Sequence, residues 1–149
     1  MKLYFDNCCY GRPYDDQSQD EIRAETDAVQ NVINLAQWYG YTIFGSVVLD
    51  IEIGKIKNKD AEKYEDVWGF YQRTITSRAG AEKHVVEHYT PLALQAGVRG
   101  LDVFHLCVAI SAGVDYLVTT DKKFIKAAAG LRFSLTVINP LNFPLGGII

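Results

Sequence analysis

Four acidic side chains stand where an α/β sheet would bring them to one edge. Asp6 comes directly after a short apolar run near the N-terminus, and Asp121 follows a similar run late in the chain. Glu52 lies in the segment after a second apolar run, and Asp102 opens the apolar segment that precedes Asp121. Ligands of open α/β sheets bind outside the carboxyl ends of the strands, so these four residues are the candidates for a site.

Carboxylates gathered at one edge indicate a divalent cation. Like charges within a few ångströms of one another raise their pKa values and oppose folding unless a cation lies between them. Oxygen ligands suit Mg²⁺ or Mn²⁺, and such ions activate water for phosphodiester hydrolysis. Any one of these acids would be explained more simply as a helix cap, but the four together favour a metal site.

The second acid of the set has a rival two residues away. Asp50 and Glu52 are about 200° apart on a helix of 3.6 residues per turn, so both cannot face one site. We favour Glu52 as the ligand and keep Asp50 as the alternative. His105, three residues after Asp102 on the same helix face, is expected to be a buried polar contact rather than a catalytic group.

The elements that must position these residues follow from hydrophobic spacing and from helix end signals. Strands are predicted at residues 2–5, 41–44, 116–119 and 135–138, with a weaker candidate at 84–86. Helices are predicted from a capping box of Ser18 and Glu21 to Gly40, then over residues 47–56, 60–75, 101–112 and 122–129, with a short helix opened by Thr90-Pro91. Residues 11–16 are expected to form a loop because they include Gly and Pro.

The alternation of strands and helices predicts an α/β fold in which a mostly parallel sheet carries helices on both faces. The chain has 149 residues, of which 48% are hydrophobic. That is enough to build the core of one domain, which we expect to span residues 1–149. The sequence contains no internal repeat, linker or low-complexity segment that would divide it.

Composition excludes several classes of protein. The three cysteines, Cys8, Cys9 and Cys107, do not have the spacing of a disulfide framework or a zinc site, and we expect free thiols. No apolar run approaches the roughly 20 residues of a membrane span, and the N-terminus lacks a secretory pattern, so we expect a cytoplasmic protein without membrane association. The net charge of −3 is not the basic footprint that many nucleic-acid binders show.

Four parts of the sequence resemble the successive motifs of PIN domains. They are Asp6 after the first strand, Ser46 six positions before Glu52, the run from Leu101 to Ala109, and the run from Asp115 to Phe124. The last two are specific in combination, and the resemblance spans nearly the whole chain. The residues after Asp6, Asn-Cys-Cys-Tyr-Gly-Arg-Pro, resemble a less-studied branch and differ from PIN toxins that place Thr or Ser after the first Asp.

The resemblance implies a three-layer α/β/α fold and a metal-dependent ribonuclease, which is often the toxin of a toxin–antitoxin pair. Matched position by position, the family's acidic quartet corresponds to Asp6, Glu52, Asp102 and Asp121, with Mg²⁺ or Mn²⁺ as the cofactor. RNA is then the expected substrate, cleaved to leave a 5′-phosphate. An antitoxin and a second copy of the chain are the candidate protein partners.

Five further residues near the same edge are candidate substrate contacts. Lys122 and Lys123 flank Asp121 and would hold phosphates, although a solvated helix face explains them equally well. Thr119 and Thr120 would position a water or the metal, with hydrogen bonding at the strand end as the alternative. Arg12 in the first loop is a weaker candidate.

Other functions that place acids after strands fit this sequence less well. Phosphatases of the haloacid-dehalogenase type need a second Asp two positions after the first, where Cys8 stands. Receiver-type signalling domains need an early acidic pair and a Lys after a late strand, and neither is placed correctly. The remaining alternative is a non-catalytic PIN-like module that binds RNA or protein, and the retention of all four acids argues against it.

Overall fold

The computed structural model describes residues 1–145 as strands that alternate with helices. In chain order the elements are β1 (Lys2–Phe5), α1 (Asn7–Gly11), α2 (Asp20–Tyr39), β2 (Thr42–Gly45), α3 (Val47–Ile56), α4 (Ala61–Thr74), β3 (Ser77–Arg78), α5 (Lys83–Ala96), α6 (Asp102–Ala112), β4 (Tyr116–Val118), α7 (Lys122–Ala128) and β5 (Thr136–Ile138). Short 3₁₀ turns lie at Arg12–Tyr14 and Pro140–Asn142. Among these residues, every helix is too short or too polar to cross a membrane.

The five strands form one parallel sheet in the order β3-β2-β1-β4-β5. The chain moves outward from β1 to β2 and β3, then returns to the other side of β1 for β4 and β5. Right-handed crossovers therefore put the helices of the two halves on opposite faces of the sheet. The order reverses between β1 and β4, and such folds bind ligands beside the carboxyl ends of the two strands at this position.

Burial of the central strand shows that helices cover both faces of the sheet. Leu3, Tyr4 and Phe5 are consecutive in β1, and all three are fully buried. Because successive side chains of a strand point to opposite faces, both faces must be covered. The predicted three-layer α/β/α fold with a parallel central sheet is confirmed.

Several predicted helix ends are confirmed by their capping contacts. Ser46 Oγ accepts a hydrogen bond from the Leu49 N–H at the start of α3, and Asp60 Oδ1 accepts one from the Lys63 N–H at the start of α4. Gly40 ends α2 with a φ of 67°, a left-handed conformation that L side chains rarely adopt. All three cysteines are free, as expected.

The predicted loop at residues 11–16 was wrong, and so was the predicted capping box. Asp6 caps α1, which continues into the 3₁₀ turn at Arg12–Tyr14. Helix α2 begins one residue later than predicted and has Gln19, not Ser18, at its N-cap. The Ser18 hydroxyl instead donates to Asp16, so the local hydrogen bond outcompetes the capping box.

The weak strand at 84–86 and the helix start at Thr90-Pro91 were also wrong. Both belong to α5, which runs from Lys83 to Ala96 with Pro91 inside it. Burial of Val85 and Ala93 holds this helix in place despite its β-branched residues and its proline. Strand β3 was not predicted, because both of its side chains are exposed and only backbone pairing with β2 defines it.

Candidate functional site

Asp6 lies at the carboxyl ends of the two strands where the sheet order reverses. Its backbone N–H donates to the Val118 carbonyl of β4 at 2.9 Å, and its Oδ1 accepts from the Asn7 N–H at 2.7 Å. Its Oδ2 accepts from the Thr119 hydroxyl at 2.8 Å. The side chain is therefore held from β1, α1 and β4 at once, and the residue is only 5% exposed.

Glu52 and His105 face Asp6 from two different helices. Ligand atoms of Asp6, Glu52 and His105 all lie within 4.8 Å of one another, close enough to share a metal ion. Nε2 of His105 contacts Glu52 and lies 3.6 Å from Asp6 Oδ1. The carboxylates on β1 and α3 thus meet around a buried imidazole from α6.

Asp50, the rival of Glu52, points elsewhere. It pairs with Arg78 at 2.5 Å and accepts a hydrogen bond from the Tyr71 hydroxyl at 2.8 Å. Gly45 allows this arrangement, because a Cβ at that position would lie 2.6 Å from the Tyr71 hydroxyl oxygen. The structure therefore directs the two acids of α3 to different partners and places Glu52 beside Asp6.

Asp102 is the first residue of α6, and the charges of the other acids affect its pKa. Burial, followed by the negative charges of Asp6, Asp121 and Glu52, raises the pKa of Asp102 to about 7. Burial also raises the pKa of Asp6, although His105 and the Thr119 hydroxyl act against the increase. These carboxyl groups are held where ionisation is unfavourable unless a cation is present.

His105 is completely buried, as the sequence analysis expected, but its partners are carboxylates of the site. Burial acts to lower its pKa, whereas the hydrogen bond with Glu52 and the charges of Asp6 and Asp102 raise it, and the net shift is upward. The contact of this histidine with two of the predicted ligands was not predicted from the sequence. The signal was its position three residues after Asp102, on the same face of the helix.

Asp121 belongs to the same edge but is more exposed. Its Oδ1 caps α7 by accepting from the N–H groups of Lys123 and Phe124, at 3.0 and 3.2 Å. Its own N–H donates to the Thr119 hydroxyl oxygen at 3.1 Å. Its negative charge contributes to the raised pKa of Asp102.

Two of the candidate substrate residues are joined to each other. Nη2 of Arg12 donates to the Thr120 hydroxyl at 3.3 Å. The guanidinium also pairs with Glu25 at 3.1 Å and with Asp15 at 3.0 Å, so two carboxylates already balance its charge. Arg12 therefore lies beside the site and orients Thr120, which directly precedes Asp121.

The two candidate lysines lie at the start of α7. The Lys122 ammonium pairs with Glu21 at 2.6 Å, and both side chains are mostly exposed. The Lys123 backbone N–H caps the helix through Asp121. An exposed ion pair of this kind exchanges partners readily, so a phosphate can replace Glu21 at little cost.

The donor set fits a divalent cation. Carboxylate oxygens suit Mg²⁺ and Mn²⁺. Within residues 1–145, no Lys or Arg side chain forms an ion pair with Asp6, Glu52 or Asp102. The negative charge is therefore available to a cation.

Comparisons with known proteins bear on the fold. No family model matches the sequence, and no curated protein matches it. Solved structures do match, among them the crystal structure of VapBC2 from Rickettsia felis bound to a DNA fragment from their promoter. The alignment has a TM-score of 0.62 and 17% sequence identity, and it covers 93% of this chain and 98% of that chain. At this identity the likeness shows a shared fold.

Proposed function

We propose that this chain is a divalent-cation-dependent endoribonuclease of the PIN type. The observation that carries the proposal is the meeting of Asp6 and Glu52 around His105 at the point where the sheet order reverses. The charges of both acids also raise the pKa of Asp102. A structural role would favour pairing of such acids with Lys or Arg, as elsewhere in this molecule. Acids kept together without such partners favour a cation-dependent reaction.

Asp6, Glu52, Asp102 and Asp121 would hold Mg²⁺ or Mn²⁺. When bound, such an ion lowers the pKa of a water molecule and offsets the charge that develops on phosphoryl oxygens. The protein's part is to fix the carboxylates. Thr119 does so for Asp6 by donating its hydroxyl hydrogen, and it also accepts the N–H of Asp121, so one side chain orders two of the ligands.

RNA is the proposed substrate, from the resemblance to PIN domains. Lys122 and Lys123 would contact its phosphates at the edge of the site, and Thr120 would be presented by Arg12. Attack in line with the leaving oxygen would leave a 5′-phosphate. The charge of Arg12 is already balanced, so we assign it an orienting role rather than direct phosphate binding.

The proposed protein partners are an antitoxin and a second copy of the chain. PIN toxins pair with antitoxins, and the fold matches a chain of VapBC2, solved with a DNA fragment from their promoter. Co-expression of this chain with the product of a neighbouring small gene, followed by purification through a tag on that product, tests the pairing. Recovery of the tagged product without this chain would remove the antitoxin from the proposal.

Cleavage of single-stranded RNA tests the enzymatic proposal directly. Wild type should cleave with Mn²⁺ and stop with EDTA, and Asp6→Asn, Asp102→Asn and Asp121→Asn should each lose activity while remaining folded. An amide keeps the shape of the side chain but removes the anionic ligand. Equal cleavage by wild type and all three variants would refute the site, and binding of RNA without any cleavage would favour a non-catalytic module.

A further inference from the structure

A buried chain of hydrogen bonds runs behind the carboxylates. The Ser46 hydroxyl oxygen lies 2.8 Å from that of Tyr4, which lies 2.6 Å from Nδ1 of His105. Nε2 of the same ring contacts Glu52. Tyr4 and His105 are fully buried and Ser46 is 1% exposed, so water does not compete for these bonds.

Every element in this chain of contacts also carries an acid of the site. Strand β1 contributes Tyr4 and ends beside Asp6. Helix α6 contributes His105 and begins with Asp102. Helix α3 contributes to both ends of the chain of bonds, because Ser46 at its N-cap begins the chain and Glu52 ends it. The bonds thus tie together the three elements whose relative positions set the spacing of the carboxylates.

We propose that Tyr4 is a positioning residue of the metal centre, which acts through His105 to hold Glu52 at the place where it shares a cation with Asp6. This inference rests on the proposed function, and it gives a role to a tyrosine of the central strand whose hydroxyl bonds to Ser46 and His105. The hydroxyl is the only polar atom of a side chain that is otherwise part of the hydrophobic core.

The direction of the hydrogen bonds follows from the groups at each end. An ionised Glu52 only accepts, so Nε2 of His105 carries the proton between them. The Tyr4 hydroxyl serves the ring in either charge state, because it can accept from a protonated Nδ1 or donate to an unprotonated one. Ser46 Oγ accepts the Leu49 N–H at 3.1 Å and can exchange a further bond with Tyr4 in either direction.

Tyr10 provides a matched control for Tyr4. It is a second fully buried tyrosine of the same core, packed edge to face on Phe5 and Tyr71. Its hydroxyl has no hydrogen-bond partner within residues 1–145. Tyr10→Phe and Tyr4→Phe therefore delete the same atom, but only the second substitution breaks the chain of bonds.

Manganese affinity is the direct test, measured by titrating Mn²⁺ and following the electron paramagnetic resonance signal of the free ion. Partners behind a metal ligand typically contribute about 10- to 100-fold to metal affinity. Tyr4→Phe should therefore raise the dissociation constant about 10-fold, and Tyr10→Phe should leave it unchanged. His105→Gln keeps an amide N–H for Glu52, so it should lose less affinity than His105→Leu. Equal affinity of the two Phe variants would overturn the inference.

A metal-free measurement separates this inference from the proposed function. Urea midpoints in EDTA are compared for Tyr4→Phe, Glu52→Gln and the double variant. If Tyr4 acts on Glu52, the shift of the double variant is smaller than the sum of the single shifts, whereas additive shifts overturn the inference. A wild type that binds no Mn²⁺ refutes the metal site, and the double variant still decides whether Tyr4 holds Glu52.

Discussion

Two groups of acids in this protein have opposite charge balance. Around Arg12, two acids have cationic partners: Glu25 lies 3.1 Å from the guanidinium, and Asp15 lies 3.0 Å from it and 2.8 Å from the Lys63 ammonium. Asn139 adds a hydrogen bond to Glu25 at 2.9 Å. This network joins the 3₁₀ turn after α1 to α2, α4 and the end of β5, and it needs no external ion.

At the edge of the sheet, the acids have a histidine in place of such partners. Asp6 and Glu52 share His105, and Asp102 has a pKa raised to about 7 by burial and by its acidic neighbours. The same residue types are thus stabilising ion-pair partners in one region and an unfavourable concentration of negative charge in the other. We infer that the second arrangement is retained for a bound cation, and five predictions test the contrast.

The largest effect should appear when the two acids of α3 are neutralised one at a time. Glu52→Gln removes a ligand, and because metal ions contribute several kcal/mol to such reactions, cleavage should fall at least about 100-fold. Asp50→Asn weakens a half-exposed pair with Arg78, so it should cost less than about 1 kcal/mol of stability and change cleavage only a few-fold. Initial rates of cleavage of a labelled RNA measure the two effects. A larger loss in Asp50→Asn than in Glu52→Gln would show that Asp50 is the ligand.

The stability of the metal-free protein should fall as pH rises. Asp102 titrates at 3.8 when unperturbed and at about 7 in the fold, so the native state binds more protons than the unfolded state between these values, and the free energy of unfolding decreases across them. The raised pKa of His105 acts in the same direction above pH 6.5. Urea melts in EDTA from pH 4 to 8 measure the slope, and Asp102→Asn should flatten it.

Saturating Mn²⁺ should reverse this loss in the wild type. A ligand that binds only the native state adds about 2.7 kcal/mol at a hundredfold excess over its dissociation constant. The same melts at pH 7.5 with Mn²⁺ should show that stabilisation for the wild type and much less for Asp102→Asn. Equal stabilisation of the two proteins would show that the carboxylates are not the binding site.

Neutralising an acid should change stability with opposite signs in the two regions. Glu25→Gln leaves the Arg12 guanidinium without its buried partner, and a hydrogen bond to a charged group contributes about 2 kcal/mol, so the metal-free protein should lose that much. Asp102→Asn removes one of several repelling charges and should stabilise the metal-free protein at pH 7.5. Chemical denaturation of both variants measures the sign of each change in the free energy of unfolding. An equal loss of stability in the two variants would contradict the contrast between the two regions.

The smallest effect concerns the exposed edge of the site. Lys122→Ala breaks an exposed pair with Glu21 and should change stability by less than about 0.5 kcal/mol. If Lys122 holds a phosphate, the variant should bind single-stranded RNA with a salt dependence smaller by about 0.7 in the slope of log K against log salt. Glu21→Ala, which breaks the same pair from the other side, is the control and should not reduce that slope.

Much of the fold could be predicted because local signals and tertiary contacts agree there. The capping hydroxyl of Ser46 and the left-handed glycine at Gly40 act within a few residues of where they stand in the sequence. Two other predictions failed because the determining contact was distant in sequence. Helix α5 keeps Pro91 in its interior because its apolar face packs on α6 and α7, and β3 exists only through its pairing with β2.

The sequence by itself determined which residue types stand after the strands, since a run of apolar residues followed by Asp is visible without coordinates. It also restricted α3 to one acid facing the site, because two positions on a helix differ by about 200° in direction. Only the tertiary structure decided which acid that is, since Arg78 and Tyr71, which lie later in the chain, bind the Asp50 carboxylate. It also decided that Tyr4, Ser46 and His105 form one buried chain behind Glu52. Hydrogen bonds between residues 42 and 101 positions apart depend on how β1, α3 and α6 pack, and no local pattern encodes that packing.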